Sequence, residues 1–216
     1  MVNRIDETAY LKNFPFKKKK GESIRHNALE QAWKNRDFEI EMYWKRATYF
    51  WAFIAATFAG YLAVLSAVKL SVDFPQAELV LVCLGLIFSW AWYLANLGSK
   101  KWQENWEHHI DMLEDKITGP IYKTVLNQKS FSVSRINIKV SFAVFLIWGI
   151  LLVKYLASDK IFFCCPDRKF DFLAVGLIVI TIFVNAWLFF DWKRLRFETK
   201  PKMNFSYSLH KTNYQD

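Results

Sequence analysis

Residues 47–68 read ATYFWAFIAATFAGYLAVLSAV and residues 79–99 read LVLVCLGLIFSWAWYLANLGS, and neither stretch holds a charged side chain. They are 22 and 21 residues long. A helix needs about 20 apolar residues to cross the hydrocarbon core of a bilayer, and a helix satisfies its own backbone polar groups where no water can. Both stretches therefore read as membrane-spanning helices.

Two more segments lie downstream. Residues 172–190 are charge-free for 19 residues and residues 140–153 for 14. The shorter one is flanked by Lys139 and Lys154, whose long amines can snorkel to an interface, so residues 136–157 suffice for a third span. The fold class expected is an all-α membrane protein with four transmembrane helices. Composition agrees: of 216 residues 53% are hydrophobic and 18% aromatic although 23% are charged, with a mean hydropathy of +0.06. That excludes an ordinary soluble enzyme and a disordered chain, and three cysteines cannot build a disulfide framework. The first 46 residues contain no apolar run, so no cleaved signal peptide is expected and the first span should insert itself.

The charge pattern gives orientation. Lys and Arg number 11 in residues 1–47, one in 69–78, seven in 100–139, four in 154–171 and six in 191–216. Short loops rich in Lys and Arg stay on the cytoplasmic side, so both termini and the central segment are expected there. Tyr43, Trp44, Tyr49 and Trp51 at the entry to the first span, and Trp90, Trp92 and Tyr93 late in the second, suit the headgroup level. The organisation expected is a basic cytoplasmic segment 1–26; a unit 27–119 made of a cytoplasmic helix, spans one and two and a second cytoplasmic helix; a connector 120–135; spans three and four in 136–191; and a tail 192–216.

The two cytoplasmic helices carry apolar stripes. Trp102, Trp106, Ile110, Leu113 and Ile117 recur at helical spacing, as do Leu29, Trp33, Ile40, Trp44 and Ala47, with Arg36 in the gap. An antiparallel hairpin is expected, packed through Leu29, Trp33, Trp44, Trp102, Trp106, Ile110 and Leu113. The second helix, continuous with span two, should run to Ile117 and stop at Gly119 and Pro120.

Few residues offer chemistry. Glu104 and His108 have the i, i+4 spacing of two metal ligands on one face, but a solvated acidic face yields the same pair, and no metal site is assigned. No nucleophile, zincin or phosphate-loop motif occurs, so no enzyme activity and no cofactor are expected. Cys164 and Cys165 lie in an external loop, as an interchain disulfide or as free thiols, and Cys83 reads as a packing residue. Lys17, Lys18, Lys19, Lys20 and Arg25 form a basic patch with two meanings: attraction to anionic lipid, or a site for an anionic cytoplasmic ligand such as a nucleotide or oligonucleotide.

No span carries an ionised residue at its centre, which disfavours a proton-coupled transporter. Asn96 and Asn185 are expected to bond across helices, or to line a pore of amides, hydroxyls and apolar groups closed by dewetting. Four spans are too few to enclose a water-filled pore, so conduction implies a homo-oligomer, a tetramer being one closed arrangement. Lys139, Lys100 and Lys101 would stand at its inner mouth and Lys154 at its outer mouth, where rings of lysine favour anions.

The segment GSKKWQENWEHHIDMLED after the second span, with YWKRATYFWAFIAATFAGY leading into the first, resembles small multi-spanning effectors encoded in bacterial anti-phage loci, of which the channel effector of the Hailong type is one. The resemblance covers residues 37–118. It implies a growth-arresting channel of the bacterial inner membrane, controlled by a cytoplasmic nucleotide-type signal. The alternative is a non-conducting scaffold or sensor that anchors a cytoplasmic protein partner.

The charge asymmetry generates a direct check of topology. A membrane-impermeant maleimide added from the periplasmic side is expected to modify Cys164 or Cys165 and to leave a cysteine placed at Ser23 or Lys116 untouched. Labelling of either of those introduced sites in intact cells would overturn the orientation.

Overall fold

The computed structural model describes residues 7–15, 18, 19, 22–67, 74, 76–124, 131–158 and 171–194. In chain order the elements are α1 (Glu7–Lys12), β1 (Lys18–Lys19), β2 (Glu22–Ser23), α2 (Ile24–Ser66), α3 (Ala77–Leu113), α4 (Val133–Ala157) and α5 (Phe172–Arg194). β1 and β2 form one antiparallel two-residue pair, Lys18 opposite Ser23; otherwise the described fold is helical. Helices α2 to α5 are each long and apolar enough to cross a membrane. The expected four-span, all-helical class is what the chain adopts.

The chain divides into two compact units. Among the described residues, a polar unit comprises those within 1–40 and 102–128, and an apolar unit those within 41–101 and 129–196. Helices α2 and α3 each contribute to both.

In the apolar unit the packing centres on Trp148 of α4, which is wholly buried with Tyr61, Val82 and Leu86. The indole stacks on Phe58 at 4.4 Å between ring centroids and meets Tyr61 edge-on at 5.8 Å. It fits because α3 carries Gly85: a Cβ there would stand 2.2 Å from the Trp148 ring, well inside van der Waals contact. A second cluster joins α3 (Leu79, Cys83), α4 (Tyr155) and α5 (Ala174), which bears out the packing role of Cys83. Polar side chains fasten the helices to each other. Asn137 Nδ2 donates to the Tyr43 hydroxyl (2.7 Å), joining α4 to α2, and Asn96 Nδ2 donates to Ser141 Oγ (3.3 Å), joining α3 to α4. Gln76 Nε2 donates to Asp171 (2.8 Å), and the same carboxylate accepts from the backbone N–H groups of Leu173 and Ala174, capping α5.

Four Ser and Thr hydroxyls of the spans bond within their own helices, whereas the Tyr61 hydroxyl is buried with no hydrogen-bond partner among the described residues. Thr57, Ser66, Ser89 and Thr181 each donate to the carbonyl four residues back, which satisfies a hydroxyl without water or a partner helix. A continuous polar channel through one protomer is not what such a pattern builds.

Two boundaries differ from those read in the sequence. Helix α2 begins at Ile24, before the expected position 27. Helix α3 stops at Leu113 rather than Ile117, because the Glu114 carbonyl accepts from the N–H groups of Ile117, Thr118 and Gly119. Gly119, at φ 76°, supplies the left-handed residue such a turn needs.

Gly85 makes the core testable. Gly85→Ala is expected to cost about 1–3 kcal/mol through overpacking against the indole, seen as a lower thermal midpoint in detergent. Trp148→Leu on the Gly85→Ala background should recover part of that loss. Unchanged stability of Gly85→Ala would mean that α3 and α4 do not meet there.

Candidate functional site

The polar unit is built from α1 and the parts of α2 and α3 that belong to it. Leu29 and Ala32 of α2 meet Ile110 and Leu113 of α3, with Tyr10 of α1 completing the buried cluster. Trp33 and Trp106 pack against its edge. Of the seven residues expected in the hairpin seam, five are therefore brought together. Trp102, at 56% exposure, and Trp44, at 42%, are not: at 100° per residue Trp102 lies about 80° around the helix from Ile110 and Trp44 about 60° from Leu29, off the line of the seam.

Arg36, in the gap of the α2 stripe, is part of the structure. Its guanidinium lies over the rings of Trp33 (5.5 Å) and Tyr122 (5.4 Å), themselves edge to face at 5.3 Å. Its Nε stands 4.0 Å from Glu107 Oε1. A guanidinium set against two aromatic rings at once is a favourable cation–π arrangement. Burial raises the Tyr122 phenol above its ordinary pKa, against the pull of Arg36.

Glu114 reads in the sequence as one more acid of a solvated face, yet it is fully buried. Its carboxylate accepts the N–H groups of Tyr122 (2.8 Å) and Lys123 (3.1 Å), pinning the turn that follows α3. Two backbone donors aimed at one acid explain why it is tolerated inside.

Arg25 is likewise reassigned. It is 7% exposed, and it donates from Nε to the Phe14 carbonyl (2.8 Å) and from Nη2 to the Leu11 carbonyl (3.0 Å). It thus holds the end of α1 and does not belong to an open anionic-ligand patch. Lys17 and Lys20 lie outside the described residues, and Lys18 and Lys19 are described by backbone alone. Cys164, Cys165 and the tail beyond 194 also lie outside them.

Tyr10 and His109 link α1 to α3, the hydroxyl and Nδ1 being 2.5 Å apart. Burial, and then the neighbouring His108, hold His109 below its ordinary pKa. His108 is lowered by burial as well, against the opposing pull of Asp111, Glu104 and Glu107. Burial raises Asp111. Among the described residues no group of three or more His, Cys, Asp and Glu side chains is placed to hold a metal ion.

The proposed pore residues fall into two classes. Asn96 is 2% exposed and bonded to Ser141, which is the interhelical role expected of it. Asn185 bonds instead to the Thr181 carbonyl of its own helix at 2.8 Å, a correction to the cross-helix role. Lys139 and Lys154 are exposed, and Lys100 and Lys101 are half-buried.

Residues 26–157, more than half of the chain, match the Octameric membrane protein family (8xMP). The chain belongs to this family. Nothing matches it among curated proteins or among solved structures. It is therefore a membrane protein of an oligomeric family. The match covers nearly all of α2, all of α3 and α4 to its end, and so includes the seam of Leu29, Ala32, Ile110 and Leu113 and the Gly85–Trp148 contact.

Because both histidines are held low, the unfolded chain binds more protons than the folded one as pH drops below about 6.5, the ordinary histidine value. The stability they contribute is present above that pH and is lost as pH falls toward their folded values. The thermal midpoint is expected to fall between pH 7.5 and 5.5, and to fall less in the His108→Gln, His109→Gln double variant. An equal fall in both proteins would remove the histidines from the account.

Proposed function

We propose that the protein is the subunit of a gated ion channel, in which eight copies surround one axis in the bacterial inner membrane with both termini in the cytoplasm. The observation that carries this reading is the solid interior of the apolar unit. Trp148 fills the space among α2, α3 and α4, and Thr57, Ser66, Ser89 and Thr181 bond to their own helices. A path for ions then has to run between copies, and the match to an octameric family supports eight of them instead of four. Closed rotational symmetry is the usual arrangement for such assemblies.

On this reading the polar unit is the cytoplasmic receiver. Its two helices continue without interruption as α2 and α3, so a ligand that rearranges the seam around Arg36, Trp33 and Tyr122 has a mechanical route to the spans. With Arg25 committed to α1, the anionic-ligand proposal rests on Lys17, Lys18, Lys19 and Lys20. A nucleotide or oligonucleotide signal and a growth-arresting anti-phage role are the finer parts of the proposal. The scaffold reading draws on Phe38 and Trp102, each 56% exposed in the polar unit, as surfaces for a cytoplasmic protein partner.

Planar-bilayer recording separates the two. Purified protein is expected to give unitary currents that increase when a single-stranded oligonucleotide is added on the side of the termini, and its overproduction should depolarise cells and stop growth. Silent bilayers under every trigger, together with undisturbed membrane potential in overproducing cells, would favour the scaffold.

A further inference from the structure

Helix α4 has two faces of different chemistry. Asn137, Ser141, Trp148 and Tyr155 are buried and share one side at helical spacing. On the opposite side Lys139, Ala143, Ile147, Ile150 and Lys154 recur at steps of four, four, three and four, all of them exposed. Ile147 is 46% and Ile150 67% exposed. The two lysines are 15 residues apart, about 22 Å along the helix, so a cation stands near each end of the span with only apolar groups between.

The other helices offer no equal. The outward line of α3 through Val80, Leu84, Ile87 and Ala91 is uncharged, and so is the exposed line of α5 through Val179, Ile182 and Phe183. The exposed line of α2 through Thr48, Ala52, Ala55, Ala59 and Ala63 is small and uncharged as well. Among the described residues, α4 alone exposes a charge at both ends of its span on a single face.

We infer that α4 lines the axis of the assembly, with Lys139 and Lys154 forming the two mouths of an anion-conducting pore and Ile147 and Ile150 forming the hydrophobic constriction between them. The inference rests on the channel reading above and deepens it by naming the helix, the gate and the class of ion. Eight ammonium groups brought into one ring repel each other, and that repulsion is relieved by anions gathered at the mouth. Between the rings, isoleucine side chains provide no hydrogen bonds to water, so a narrow passage empties and stops ions without a mechanical plug. Widening by a small rotation of α4 would rewet it. The Trp148 contact on the opposite face ties such a rotation to α2 and α3, the helices that reach the polar unit.

The test records wild type, Ile150→Ser, Lys139→Glu, the milder Lys139→Gln and, as a control on another face, Ile182→Ser of α5, all in a KCl gradient after their oligomer size is checked. Ile150→Ser should open the pore without a trigger and raise open probability at least severalfold. Lys139→Glu should move the chloride-to-potassium permeability ratio through unity, with Lys139→Gln in between and Ile182→Ser like wild type. If wild type conducts and the α4 variants behave as wild type does, these lysines face lipid and the inference fails while the channel reading stands. A wild-type current selective for potassium also overturns it. If no protein in the series conducts, the channel reading itself fails.

Discussion

The apolar half of this protein depends on one steric arrangement, the indole of Trp148 seated where Gly85 has no side chain. In a bilayer, lipid tails compete with side chains for apolar contact, so helices hold together by close packing and a few interhelical hydrogen bonds. Gly85 lets α3 and α4 approach until the largest side chain in the chain is enclosed, and Phe58 and Tyr61 bring α2 onto the same ring. Asn96 with Ser141 and Asn137 with Tyr43 then fix the register between helices. With the protomer's interior filled, the ion path of the proposed channel would have to run between copies.

The polar unit follows a different physics. There water drives the apolar seam of Leu29, Ala32, Ile110 and Leu113 together, and charged groups are used as fasteners. Arg25 holds two carbonyls of the α1 end, Glu114 holds two amides after α3, and Arg36 lies between two rings. Each occupies a place where a basic or acidic side chain would ordinarily be assigned to solvent or to a ligand. Because α2 and α3 are single helices, a disturbance of these fasteners has a covalent path into the spans.

What was legible in the sequence was whatever depends on length and period. Four charge-free stretches announced four spans, and the spacing of Leu29, Trp33, Trp106, Ile110 and Leu113 announced the seam. Trp44 and Trp102 were misplaced because helical spacing to the nearest stripe member still leaves each of them well around the helix from the buried line. Arg36 was visible only as an interruption of the stripe. Tyr10 lies on a six-residue helix, too short for any period to register, and Glu114 looks like its acidic neighbours until the returning turn brings two amides to it. The two-sidedness of α4 was hidden because both of its faces are apolar overall, and only burial separates the Trp148 side from the line between Lys139 and Lys154.

On the proposed reading a filled protomer conducts only by surrounding an axis with copies of itself. Native mass spectrometry of the full chain released from membranes measures this most directly. A dominant complex of eight 25.6 kDa chains is expected. A protein that stays monomeric at every detergent and lipid ratio, with its helices intact, would contradict it.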